Sequence, residues 1–372
     1  MEHASEFEIF LVGLPGLEAA LADEARSAGF SAVKQVPGGV SMRGDWPEIW
    51  RANLTLRGAT RVLVRLGSFR AMHLAQLDKR ARKFPWQETL SPEVPLRVEV
   101  TCRKSRIYHA GAAKQRIETA LRESLGVEIA PDAPLQIKAR IEDDLCTFSL
   151  DTSGESLHRR GHKEFVGKAP LRETMAALLL RQCDFDGTEP VLDPMCGSGT
   201  FVLEAAEIAA GLLPGRSRSF AFEQLASFDR TKWEAIRNSV PTAHTDLKFY
   251  GSDRDAGAIR GCEGNASRAG VSGLVEFRQA AFSDLERPEG PPGLVIVNPP
   301  YGARIGNKKL LYGLYGSLGK VLMDRFSGWR VGIVTSESGL AKATGLPFLE
   351  TGPPVAHGGL KVRLFRTAPL PG

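Results

Sequence analysis

The sequence is poor in cysteine and has no long apolar run. Its five cysteines, Cys102, Cys146, Cys183, Cys196 and Cys262, are scattered over 372 residues. None forms a CxxC pair, so neither a disulfide framework nor a cysteine zinc site is expected, and no metal is expected. No stretch reaches the roughly 18 apolar residues that suggest a membrane span. The N-terminus shows neither the basic nor the apolar region of a secretory signal. A reducing cytoplasm and no membrane partner are the expectation. Internal repeats and low-complexity tracts are also absent. Charge of one sign barely dominates: the net charge is +5 and the pI about 8.9, too mild by itself to imply nucleic acid. The remaining composition, 42% hydrophobic and 24% charged, is that of a soluble globular chain. Its length calls for two or three domains.

The basic residues say more by clustering than by number. "KRARK" (79–83), "RKSR" (103–106) and "HRRGHK" (158–163) all fall in the N-terminal half. Each alone reads as solvated surface; three together favour a phosphate-facing surface.

Periodicity divides the chain. Residues 1–68 read as strand, helix, two short strands about a Pro-Gly-Gly turn, helix and strand, the βαββαβ order of a ferredoxin-like unit. Residues 69–154 read as a second α+β unit, with an amphipathic helix ended by Gly126 and a hairpin turning at Asp143-Asp144. Residues 155–170 are polar, basic and without period, and read as a linker. From 171 to 372 strands and helices alternate, which argues for a mostly parallel sheet covered on both faces. Residues 211–245, with a helical "DRTKWEAIRNSV", read as an insertion. Ligands of such sheets bind beyond the carboxyl ends of the strands, and the unusual motifs sit at those ends.

"LDPMCGSGTF" (192–201) is a strand that ends in Asp193 and turns through Gly197 and Gly199 into a helix. The third glycine of GxGxxG is replaced by Val202 and the Walker lysine is missing, so the loop suits a nucleoside without a pyrophosphate. Asp193 can bind an ammonium group directly or through water. In "FYGSDRD", Asp253 ends the next strand, where a carboxylate can accept hydrogen bonds from both ribose hydroxyls; Asp255 competes for that role. It lies far beyond the roughly 20 positions usual in a nucleotide fold. In "LVIVNPPYGARIG" (294–306) an apolar strand runs into Asn298, Pro299, Pro300 and Tyr301. Prolines lack the N–H of a continuing central strand. The Asn298 amide oxygen and the Pro299 carbonyl can accept the two N–H groups of an exocyclic amine, turning its lone pair toward an electrophile. Tyr301 can stack on the base for about 1–3 kcal/mol.

In this order the three motifs resemble a class I S-adenosylmethionine-dependent methyltransferase of the amino-group-modifying kind. "GESLHRRGHKEFVGKAPLRETMAALLL" resembles the junction of THUMP-domain RNA methyltransferases. "GGVSMRGD", "NPPYGARI" and the closing "HGGLKVRLF" strand pair extend the likeness to the bacterial 23S rRNA (guanine-N2) methyltransferase family, in the THUMP-bearing half of its larger fused form. The resemblance implies an α/β fold: a Rossmann-like class I methyltransferase domain preceded by a ferredoxin-like plus THUMP α+β module. It implies S-adenosyl-L-methionine as cofactor, RNA as partner (23S rRNA or a large-subunit assembly intermediate), a monomer, and N2-methylation of guanine. By motif match, Arg172, Glu173 and Thr174 cover the methionine moiety. Asp193, Pro194, Cys196, Gly197, Gly199 and Thr200 form the cofactor loop, Asp253 holds the ribose, and Asn298 to Tyr301 receive the base. Where the family usually has an adenine-reading Asp, this chain has Ala281, so that contact passes to Asp284 or to Phe282. The THUMP likeness makes Arg103, Lys104, Arg106, Arg159, Arg160 and Lys163 phosphate contacts. A tRNA guanine-N2 enzyme, a DNA adenine-N6 or protein glutamine-N5 methyltransferase, and a non-enzymatic RNA-binding or assembly factor are the alternatives.

Overall fold

The structure is a computed structural model that describes residues 6–167, 171–239, 243–302 and 308–372. The last three residues of the expected linker and residues 303–307 after the NPPY motif lie outside it. The strands are β1 (Phe7–Val12), β2 (Lys34–Val36), β3 (Gly39–Gly44), β4 (Arg61–Arg70), β5 (Leu96–Arg103), β6 (Leu135–Glu142), β7 (Leu145–Asp151), β8 (Val191–Asp193), β9 (Phe249–Asp253), β10 (Val275–Gln279), β11 (Leu294–Val297), β12 (Arg330–Thr335), β13 (Val355–His357) and β14 (Leu360–Arg366). The helices are α1 (Glu18–Ser27), α2 (Trp46–Thr55), α3 (Leu74–Arg82), α4 (Ala110–Leu125), α5 (Glu173–Gln182), α6 (Thr200–Ala209), α7 (Arg230–Asn238), α8 (Ala256–Ala269), α9 (Lys308–Arg325) and α10 (Ser338–Ala343). Two compact units result: Met1–Gly13 with Glu24–Leu157 and Arg218–Val240, and Leu14–Asp23 with His158–Ser217 and Pro241–Gly372.

The first unit holds a single seven-stranded sheet, ordered β2-β3-β1-β4-β7-β6-β5. The βαββαβ run is present as read, but the boundary expected at 68/69 falls inside a strand. Arg61 to Arg65 pair with β1, and β4 continues through Ser68, Phe69 and Arg70 against β7. Hydrophobic patterning marks strands but not where a sheet stops, so the pattern divides one long strand between two units. The turn at Asp143 and Asp144 takes φ +49° and +62°, the two left-handed residues that a tight hairpin requires. The helix read inside the insertion is α7, and it belongs to this unit. Its Trp233 meets Phe222 edge-on, and Phe222 stacks against Trp50 of α2.

The second unit holds a seven-stranded sheet ordered β10-β9-β8-β11-β12-β14-β13. The first five strands of that order are parallel, and β13 and β14 close the edge antiparallel. The chain winds outward from β8 to β10, then returns to lay β11 on the other side of β8. The direction reverses between β8 and β11, and at such a reversal the crossover helices part and leave a crevice. Leu294 to Val297 are completely buried, as is α9's Tyr315, so the end of β11 is anchored from below. Among the described residues no helix is long and apolar enough to cross a membrane.

Helix α9 packs on α10 through a glycine. A Cβ at buried Gly319 would sit 1.9 Å from the Thr344 carbonyl oxygen, whereas one at exposed Gly313 would meet nothing within 4 Å. Thr344 cannot retreat easily, because its hydroxyl donates to the Ala341 carbonyl and accepts from the Leu346 amide. Gly319→Ala should therefore destabilise by about 1–3 kcal/mol through overpacking. Gly313→Ala on the same helix should stabilise by about 0.5–1 kcal/mol. Denaturant midpoints of the two variants check the opposite signs.

Candidate active site

The crevice is built from the ends of β8, β9 and β11. In the β8 loop, Gly197 and Gly199 take φ +54° and +77°, conformations that side chains rarely adopt. A Cβ at Gly199 would also lie 3.1 Å from Cys262 Sγ and 3.3 Å from the Phe277 ring. The Cys196 amide donates to the Ser252 carbonyl at 2.9 Å, and the Gly197 amide donates to Asp253 Oδ2 at 3.0 Å. The loop is thus fastened to the end of β9, and Asp253 is the carboxylate that fastens it. Its other oxygen accepts from the Asp255 amide. Asp255 caps α8 by accepting from the Gly257 amide at 2.7 Å, so its side chain serves the helix. Of the two acids, Asp253 is the one joined to the glycine loop.

Asp193 is buried and, among the described residues, accepts a single hydrogen bond, from the Met195 amide at 3.1 Å. Burial pushes its carboxyl up to about 8, the Met195 amide opposes this, and the nearby Asp253 charge adds to it. A buried carboxyl in this state is poised to pair with a cation. Beside β8, Asn298 follows the last residue of β11. Its Oδ1 is buried and has no hydrogen-bond partner among the described residues, which is rare for a buried amide oxygen. Tyr315 donates its hydroxyl to the Pro300 carbonyl at 3.3 Å and so fixes the turn after Pro299. Tyr301 is half-buried, its phenol raised to about 12 by burial. With Met195, Tyr250 and Phe282 it packs on the core formed by β8, β11, β12, α9 and α10. Sequence reasoning overlooked Tyr315 and Met195; both carry only the generic signal of apolar helix and loop positions. Phe282 and Asp284 form a short 3₁₀ turn after Ala281, with Asp284 exposed.

Of the three residues before the core, two are drawn in as well. Arg172 is exposed, whereas Glu173 and Thr174 are buried at the start of α5. Glu173 pairs with Lys163 at 3.1 Å.

The basic residues divide. Arg103, Lys104, Arg106 and Arg159 are exposed. Arg103 lies 3.5 Å from Glu142, and Arg106 lies 3.9 Å from Asp144. Two expected phosphate contacts are corrected. Arg160 is buried and pairs with Glu204 of α6 at 3.2 Å. Lys163 is about one-tenth exposed and faces Glu173, Thr200 and the Leu171 carbonyl. Through residue 167 the supposed linker holds no helix or strand, and the charges of Arg160 and Lys163 answer buried acids on α6 and α5. Nothing in its composition distinguishes that from a solvated tether.

Comparison with known proteins agrees with this geometry. The description "RMKL-like, methyltransferase domain" matches residues 160–350, and "RlmL ferredoxin-like domain" matches residues 8–63. The chain is 33% identical over 365 residues to "Putative RNA methyltransferase slr0064" of Synechocystis sp., covering 94% of each. It is 34% identical to the "Ribosomal RNA large subunit methyltransferase K/L" of Syntrophotalea carbinolica, covering 91% of this chain and 50% of that one. It thus spans about half the length of the K/L relatives. The crystal structure of "SMU.472, a putative methyltransferase complexed with SAH" superposes with a TM-score of 0.90 at 26% identity, covering 99% of each chain. With an N-terminal ferredoxin-like module and a Rossmann-like sheet whose strand ends carry these motifs, the chain belongs to the RMKL-like methyltransferase family.

Proposed function

We propose that this chain is an S-adenosylmethionine-dependent RNA methyltransferase that modifies the exocyclic N2 amine of a guanine in 23S rRNA. The observation that carries the reading is the buried, unpartnered Oδ1 of Asn298 at the reversal point of the sheet. An amine conjugated to a base ring is a weak nucleophile, because its lone pair is delocalised. Two acceptors on its N–H groups hold the nitrogen in place and oppose that delocalisation. The Asn298 amide oxygen and the Pro299 carbonyl fill this role on a backbone whose φ is set by proline. Tyr301 offers its ring to the base, and Tyr315 keeps the Pro300 carbonyl from rotating away.

The residues at β8 and β9 fit the cofactor. Asp193, a buried carboxyl awaiting a cation, suits its ammonium group. The glycine loop leaves room for close backbone approach. Asp253, half-buried at the end of β9, suits the ribose hydroxyls. When bound, the cofactor supplies an electrophilic methyl group on a sulfonium. Phe282 and Asp284 are positioned after β10 to border the adenine. Cys196 and Pro194 shape the loop rather than offer polar contacts. The names of the RNA methyltransferase relatives support RNA as substrate. The exposed Arg103, Lys104, Arg106 and Arg159 are the proposed phosphate contacts. The acidic neighbours of Arg103 and Arg106 are surface partners worth about 0–1 kcal/mol, so RNA phosphates can displace them.

Asn298→Ala should leave cofactor affinity within about threefold and lower kcat by on the order of 10²–10³, as for loss of one preorganised polar contact to the reacting group. Calorimetric titration and radiolabel transfer to RNA followed by nucleoside analysis check this; N6-methyladenosine as sole product would refute the guanine assignment. Asp193 gives a pH signature. Its carboxyl is raised from 3.8 to about 8, so between those values the folded state holds a proton that the unfolded state has lost. The stability it provides below about pH 4 is lost progressively as pH rises to about 8. The melting-temperature advantage of Asp193→Asn over the parent should therefore grow from pH 5 to 8 and level off above; a pH-independent difference would refute the buried, protonated carboxyl. Finally, RNA affinity should fall with salt, and replacing Arg103, Lys104 and Arg106 with Gln should lessen the log–log slope by about 0.7–0.9 for each phosphate no longer neutralised. Filter binding from 50 to 200 mM salt (about a Debye length of 10 Å midway) measures it.

A further inference from the structure

Segment 158–167, which holds no helix or strand, is stitched to the glycine loop at two points. At the first, Lys163 Nζ lies 2.9 Å from Thr200 Oγ1, 3.0 Å from the Leu171 carbonyl and 3.1 Å from Glu173 Oε1. Two of these contacts are hydrogen bonds and the third is an ion pair, so three oxygens surround an ammonium that carries three N–H donors. Thr200 opens α6, whose N-cap, Gly199, contributes no side-chain hydrogen bond. A cation at a helix N-terminus opposes the helix dipole, so Lys163 needs the Glu173 carboxylate to be held there. The second point is Asn265 of α8, completely buried. Its Oδ1 accepts from the Glu164 and Phe165 amides at 3.1 and 3.2 Å, and its Nδ2 donates to the Phe165 carbonyl at 3.1 Å and the Ser198 carbonyl at 3.4 Å. Ser198 and Thr200 flank Gly199. Helix α8 presents Gly261 beneath the Phe165 ring, where a Cβ would lie 2.2 Å from a ring carbon.

We infer that Lys163 is a positioning residue for cofactor binding: its ammonium locks the start of α5 to the first residue of α6 and thereby sets the amides of the glycine loop. The inference rests on the cofactor reading above. Thr200, expected to contact the cofactor, has its hydroxyl engaged by Lys163, and Glu173 has its carboxylate engaged by the same group. Both act through the geometry they impose on their neighbours. The hydrogen bonds and ion pair of Lys163, Glu164 and Phe165 run to Leu171, Glu173, Thr200 and Asn265, so the effect should fall on cofactor affinity and leave the chemical step.

The test separates positioning from the burial of charge. Lys163→Met keeps the apolar stem and removes the two hydrogen bonds and the ion pair, but it leaves Glu173 unpaired and should lower the melting temperature. Adding Glu173→Gln should restore most of that stability. The dissociation constant for S-adenosylmethionine, measured by calorimetry, should rise about tenfold in the single variant and stay raised in the double variant, a change of about 1.4 kcal/mol. At saturating cofactor, kcat on RNA should stay within about threefold of the parent. Affinity that recovers together with stability overturns the inference, as does a loss confined to kcat. Thr200→Val and Thr200→Ser form an independent pair: the first, lacking the acceptor, should weaken binding, and the second should not. Equal affinities in that pair also overturn it, whether or not Lys163→Met folds. A parent protein that fails to bind the cofactor at all marks the failure of the cofactor reading instead, and the inference falls with it.

Discussion

The hydrogen bond from the Gly197 amide to Asp253 is the contact on which the catalytic unit depends. It joins the loop leaving β8 to the end of β9, and it holds a carboxylate at a place where the backbone would otherwise offer only carbonyls. It acts together with the Cys196 amide, which donates to the Ser252 carbonyl, to direct a loop that contains two left-handed glycines. With it, the buried carboxyl of Asp193 and the amide oxygen of Asn298, which has no partner among the described residues, stand at the carboxyl ends of adjacent strands. Parallel strands make this arrangement simple to specify: each contributes one residue at its carboxyl end, and the reversal between β8 and β11 keeps helices from covering them.

The strand-end turns were legible because they rest on residues with a distinct conformational meaning. The two prolines in NPPY permit few backbone paths, while the two glycines in DPMCGSGT and the Asp143-Asp144 turn mark where the chain takes left-handed conformations, and the observed glycine and aspartate dihedral angles follow them. The order of the ferredoxin-like unit was legible from alternation alone. What failed was reading charge as exposure. Arg160 and Lys163 sit in a stretch that looks like a solvated basic tether, yet both are buried against Glu204 and Glu173. Those acids lie on α5 and α6, and a pairing between segments leaves no local trace. Tyr315 was missed for the same reason: its hydroxyl partner, the Pro300 carbonyl, is named by the fold and not by any motif.

The buried ionic strap also changes how the catalytic unit begins. By sequence pattern the core would start at the helix after Pro170. In the structure the residues from His158 onward already belong to that unit, and the matched methyltransferase description likewise begins at residue 160. Burying two ion pairs contributes little net stability, so their place is better understood through geometry: an ion pair admits few arrangements, and a glycine loop admits many.

The long strand β4 has a consequence for heredity. The matched ferredoxin-like description ends at residue 63, but the strand runs on to Arg70 and carries the pairing with β7. A recombination event that exchanged the first module at that point would deliver part of a strand, leaving the foreign residues to pair with β1 while Ser68 to Arg70 keep their register with β7. The two modules are therefore expected to be inherited together: a chimera is viable only if its junction lies in a loop outside the shared strand, so the unit of exchange is the whole seven-stranded sheet.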